Sequence, residues 1–139
     1  MNASVSVTIC FILLIAKYAA ARAVCTDGDV RLEDKESDYV GRVGLCYKGV
    51  WGTVFDREIN DNAAIIVCRQ LGLPNHDPKV VLQYAGAKGR VHFIQISCTG
   101  NEANLLECRN EESGYSGPGS WFGRDFGVSC GEFVNLLQV

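Results

Sequence analysis

The chain has 139 residues, with 13 Lys and Arg against 16 Asp and Glu, and a net charge of −3 at pH 7. That length suits one domain with a modest core. The acidic balance excludes nucleic-acid binding as a primary role, because affinity for a phosphate backbone needs clustered Lys and Arg.

Residues 1–23 stand apart from the rest. Val5 to Ile15 is an apolar run too short to span a bilayer, and Ala19-Ala20-Ala21-Arg22-Ala23 follows it. This is the pattern of a secretory signal peptide cut after Ala23, although the residues before the apolar run carry no Lys or Arg and Lys17 interrupts its end. Without Lys17 and Arg22 the basic count falls to 11 against 16 acids, a net charge of −5. No second long apolar segment follows, so the expected mature chain, Val24 to Val139, contains no membrane span. The one glycosylation sequon, Asn2-Ala3-Ser4, would be lost with the signal.

Removing Cys10 with that segment leaves Cys25, Cys46, Cys68, Cys98, Cys108 and Cys130. An even count in a short exported chain reads as a disulfide framework, for which six cysteines allow fifteen pairings. Structural zinc is excluded by spacing, since no two cysteines are two to four residues apart and His76 and His92 lie away from them.

In chain order, residues 24–29 are a turn-rich lead-in. Val30-Arg31-Leu32 is a short strand, and Glu33 to Tyr39 a charged, solvated loop. Gly41 to Tyr47 alternates as a second strand. Lys48-Gly49 turns the chain into a third, Val50-Trp51-Gly52-Thr53-Val54-Phe55, rich in β-formers. The one strong helical pattern comes next, over about 61–71. Asn60 or Asp61 caps its start, Gly72 suits a left-handed cap at its end, and Pro74 stops it resuming. Ala64, Val67, Cys68 and Leu71 form its apolar stripe, and a cysteine on that stripe points to a staple onto a distant segment.

Beyond the helix, Val80 to Tyr84 reads as a strand within an irregular stretch. Val91 to Ser97 is the next, with Val91, Phe93 and Gln95 on one face and His92, Ile94 and Ile96 on the other. Asn101 to Glu107 is at most a short helix. Glu111 to Gly123 is a long Gly- and Ser-rich loop carrying Tyr115, Trp121 and Phe122, and loops of that length are uncommon unless functional or cross-linked. Phe126 to Cys130 is the last strand.

Taken together, Val30-Arg31-Leu32, Gly41-Arg42-Val43, Trp51-Gly52-Thr53-Val54, Val67-Cys68-Arg69-Gln70-Leu71-Gly72, Cys98-Thr99-Gly100-Asn101-Glu102, Leu105-Leu106-Glu107-Cys108 and Gly127-Val128-Ser129-Cys130 resemble the scavenger receptor cysteine-rich (SRCR) domain family. The resemblance covers residues 30–131 and leaves 132–139 as a short tail. It implies an α+β fold, a curved antiparallel sheet of about six strands cradling one main helix. It also implies the disulfides Cys68–Cys130 and Cys98–Cys108, with Cys25–Cys46 as a pair found in a subset of the family. The function implied is a secreted, non-enzymatic binding module for proteins, microbial surfaces or polyanionic ligands. A fragment of a larger receptor, matrix protein or secreted enzyme is the alternative, which the purposeless tail keeps open.

Two departures matter. Phe55 stands where the family has a cysteine, and the partner expected near Ser120 is missing with it. An aromatic contact from Phe55 to the loop of Ser120, Trp121 and Phe122 is the expected substitute. Where the family has two consecutive acids, this chain has Asp56 and Arg57. The family's calcium site would thus reduce to Asp56 and Glu102, too few carboxylates for an ion that wants six to eight oxygens. The expectation is that Arg57 pairs with Glu102 or Asp56 instead, leaving at most a weak calcium ion as cofactor. Arg57, Arg90, Arg109, Arg124 and Trp121 are the candidate ligand contacts. Against that, Arg69, Lys79, Lys88, Arg90, Arg109 and Arg124 are interleaved with Asp77, Glu107, Glu111, Glu112 and Asp125, the pattern of an ordinary mixed surface. No serine lies in a nucleophile elbow and neither histidine has a catalytic context, so no enzymatic role is expected.

Overall fold

The computed structural model describes residues 3–20, 24–84, 89–113 and 125–131, with side chains over 6–14 in the first segment. Helix α1 (Ala3–Ala20) exposes Val7, Ile9, Phe11, Ile12, Leu13 and Leu14, and none of its described side chains joins the core. Among the described residues no helix is long and apolar enough to cross a membrane.

Among the described residues seven strands make one sheet: β1 (Val30–Ser37), β2 (Val40–Tyr47), β3 (Val50–Val54), β4 (Lys79–Tyr84), β5 (Arg90–Ser97), β6 (Arg109–Glu112) and β7 (Asp125–Ser129). Hydrogen bonding runs β4-β7-β2-β3-β5-β6, and β1 adds to β2. Arg42 is opposite both Glu33 and Gly127, and Leu45 is opposite both Val30 and Gly52. Hence β1 holds one edge of β2, while β7 and β3 divide the other edge between its two halves. The sheet forks at β2 and curls. All pairs are antiparallel except β3 with β5, which is parallel, so the sheet is mixed. Lys48 and Gly49, with φ of 52° and 72°, close the β2–β3 hairpin as a two-residue turn whose twist matches the strands.

Helix α2 (Asp61–Gln70) packs into this curl. Its capping residue is Asn60, whose side chain accepts from the Asn62 amide. At the other end Gly72 takes φ +64°. Its amide bonds the Arg69 carbonyl at 3.1 Å, and Leu73 bonds Cys68 at 3.0 Å, which closes the left-handed cap and satisfies two end carbonyls. Ala63, Ala64, Ile66, Val67 and Cys68 are buried with Val43, Leu45, Val54, Phe93, Phe126 and Val128. Leu71, expected on the stripe, is half-buried at its end.

Three disulfides staple the unit. Cys25–Cys46 ties the lead-in to β2, Cys68–Cys130 ties α2 to the end of β7, and Cys98–Cys108 closes the short segment containing a 3-10 turn at Leu105–Glu107.

Three local readings need correction. The charged stretch after Leu32 is not a loop: β1 continues to Ser37 as an exposed strand, because β2 offers it an unfilled edge. Arg109–Glu112, half of it assigned to a long loop, is β6. The simple alternation in β5 also fails. One extra residue opposite β3 and another opposite β6 break the period, so Phe93 and Ile96 both enter the core while Gln95 and Ser97 face out.

Candidate functional site

The residues nominated for metal sit where backbone turns need acceptors. Asp56, 6% exposed, accepts from the Glu58 amide and from the Ile96 amide, each at 2.8 Å. It therefore locks the exit of β3 onto β5. Glu102 folds back on its own loop and accepts from the Thr99 amide (2.7 Å), the Thr99 hydroxyl (2.9 Å) and the Gly100 amide (2.9 Å). Led by the Thr99 amide, these donors hold its carboxyl at about 2, well below the usual range. Arg57 is exposed and reaches neither acid. Its guanidinium lies 5.8 Å from the centre of the Phe55 ring. The expected salt bridge is therefore absent, because both carboxylates are already engaged by the backbone. The donor set does not fit calcium: among the described residues no three acids, histidines or cysteines converge on one point.

Arg69, taken as surface, and its neighbour Gln70 are struts. Arg69, in the last turn of α2, donates to the Gly100 carbonyl at 3.1 Å and to the Glu102 carbonyl, fastening the loop whose inside Glu102 fills. Gln70 donates to the Gly28 carbonyl at 2.8 Å and accepts from the Leu105 amide at 2.9 Å. The only signal for this in the sequence is that both follow Cys68 at the end of a buried stripe.

The basic residues divide by partner. Arg42 is nearly buried and pairs with Glu33 and Asp34 at 2.8 and 3.0 Å. Lys79 pairs with Asp77 and Asp61, Lys48 with Glu112, and Arg31 with Glu33 while covering Trp51 at 4.1 Å. Arg57, Arg90 and Arg109 are exposed and form no ion pair among the described residues. They do not form one patch. Arg90 opens β5, whereas Arg109 lies opposite Ser97 at its far end, roughly 23 Å away at 3.3 Å per residue. Arg57 follows Asp56, whose carboxylate holds Ile96, and so belongs to the Arg109 end. There Gln95, Ser97, Arg109, Asn110 and Glu111 line a polar cleft of about 370 Å³. Arg124, Trp121 and the loop expected to meet Phe55 lie outside the described residues, and Phe55 itself is half-buried.

A polar cluster lies beneath the β2–β3 turn. His92 is buried, bonded through Nε2 to the Val50 carbonyl at 2.9 Å, and burial lowers its pKa. Tyr47 packs edge-on to it at 5.6 Å and donates to Glu112, which raises the phenol's pKa. Among the described residues no hydroxyl or thiol bonds to this imidazole.

A curled mixed sheet around one helix, stapled by three disulfides, defines a small α+β domain. The description "Scavenger receptor cysteine-rich domain" matches residues 33–131, and the chain belongs to that family, whose domains are extracellular ligand-binding modules. Galectin-3-binding protein of Pongo abelii is 36% identical over 105 residues, and that of Mus musculus 37% over 114. These alignments take in 75% and 81% of this chain but 18% and 19% of the relatives, so the chain spans about a fifth of their length. Among solved structures, the third SRCR domain of murine neurotrypsin superposes with a TM-score of 0.61 at 32% identity, covering 73% of this chain and 94% of that one. The dimeric form of the mouse MARCO SRCR domain gives 0.55 at 25% identity, covering 81% and 98%.

Proposed function

We propose that the chain is a secreted recognition module that binds acidic macromolecular surfaces, on proteins or on microbes, through arginine side chains and without a bridging metal ion. The observation that carries this reading is the pair of exposed arginines, Arg57 and Arg90, that have no ion-pair partner among the described residues. A guanidinium stays charged at any relevant pH and matches carboxylate, sulfate and phosphate with two parallel donors. The two residues sit towards opposite ends of β5, a separation that a polymeric anion or a protein surface can span and a small molecule cannot. Arg109 contributes less here, because Glu111 shares its cleft and repels an anion. The relatives named for galectin-3 binding make a protein ligand one concrete candidate.

The test is binding of the folded chain to immobilised dextran sulfate and to whole bacteria as salt is raised. Affinity should fall steeply with salt, and the double variant Arg57→Ala/Arg90→Ala should lose about tenfold or more. Undiminished binding by that variant would remove the arginines from the mechanism.

A further inference from the structure

Among the described residues strand β6 is an edge that pairs with β5 alone, and all four of its residues are exposed. By alternation, Arg109 and Glu111 project from one face and Asn110 and Glu112 from the other. The second face is satisfied within the chain. Asn110 donates to the Leu106 and Cys108 carbonyls at 3.4 and 3.0 Å, and Glu112 accepts from Tyr47 and pairs with Lys48 at 3.8 Å. The first face is not. Arg109 and Glu111 lie opposite Ser97 and Gln95, which carry no charge, and neither has an ion-pair partner among the described residues. Charged side chains on an edge strand commonly guard it against pairing, through like charges meeting across the new seam. Here opposite charges two residues apart make the edge complementary to itself.

We infer that β6 is a self-association edge, on which a second copy of this chain pairs antiparallel about a two-fold axis through Asn110. The symmetry restricts the register. A two-fold perpendicular to the sheet keeps each side chain on its own face, so only residues of like alternation can stand opposite one another. Centred on Asn110, the pairing sets Arg109 against Glu111 twice, at the 4.5–5.5 Å Cβ separation of directly opposed side chains. Centred on Glu111, it sets Glu111 against its own copy and Asn110 against Glu112, with no attraction to offset the repulsion. The partner is thus a copy in a single register. Four residues make a small interface, below about 1,200 Å², so the dimer is weak and concentration-dependent. Neither Arg57 nor Arg90 takes part.

Sedimentation equilibrium on the disulfide-bonded chain tests this, with circular dichroism to show that each variant is folded. The unaltered chain should show a monomer–dimer equilibrium. Arg109→Glu and Glu111→Arg, each alone, place like charges opposite one another twice and should weaken association by about tenfold or more. An equimolar mixture of the two variants should re-associate as a heterodimer, because every opposed pair then carries opposite signs. A chain that stays monomeric at every reachable concentration would overturn the proposal, even if it captured an extended peptide. So would variants that dimerise undiminished, or a mixture that does not re-associate.

Discussion

At the scale of single residues, the carboxylates of the expected cation site are structural, and each has a measurable consequence. Asp56 holds the Glu58 and Ile96 amides together from a nearly buried position. Asp56→Ala leaves both donors without their acceptor and should destabilise the domain by about 2–4 kcal/mol in a denaturant titration, with Asp56→Asn costing less. For Glu102 the folded pKa of about 2 lies below the ordinary 4.5. A depressed carboxyl contributes stability that is fully present above pH 4.5 and is lost as pH falls through 2. Glu102→Gln should therefore lower the melting temperature at neutral pH and flatten the decline between pH 4.5 and 2. An unaltered acid limb would show that the Thr99 and Gly100 amides do not hold the ionised form.

At the scale of elements, the helix and its staple govern stability. Chain-entropy reasoning gives about 4 kcal/mol for the Cys68–Cys130 loop and about 3 for Cys98–Cys108. Cys68→Ala/Cys130→Ala should accordingly lower the denaturation midpoint more than Cys98→Ala/Cys108→Ala, and an inverted order would contradict the helix-centred framework. Packing at Gly127 is equally demanding, since a Cβ there would overlap the Tyr84 ring and the Gly41 carbonyl. Gly127→Ala should cost about 1–3 kcal/mol through displacement of β4 from β7. The same elements show what a sequence can announce. Asn60, Gly72 and the stripe of Ala64, Val67 and Cys68 bounded α2, because caps and helical periodicity are local signals. Strand β6 has no apolar residue and hence no period. The last half of β1 is polar for the same reason, being stabilised by an edge of β2 rather than by burial. The parallel pairing of β3 with β5 joins segments far apart in sequence, and hydrophobic pattern carries no strand direction. In β5 the bulges rearranged which side chains face inward, something only the neighbouring strands decide.

At the scale of the whole molecule, the folded unit spends most of its charged groups on its own architecture. Arg69 fastens a loop, Asp56 and Glu102 terminate turns, and Arg42 is enclosed by acids. Among the described residues Arg57, Arg90 and Arg109 remain outward without an ion-pair partner, and the proposed ligand contacts are drawn from these. The candidate site was less legible than the fold for that reason: a sequence shows which residues are charged, but not which charges the fold already uses. Arg57 illustrates both sides, since its place beside Asp56 signalled the loss of an acid while its expected bridge did not form. The most direct measurement is the affinity of the folded chain for dextran sulfate with calcium present and after exhaustive chelation. The account predicts equal affinities, because Asp56 and Glu102 are held by backbone amides and not by an ion. Loss of binding on chelating the unmodified chain would contradict it.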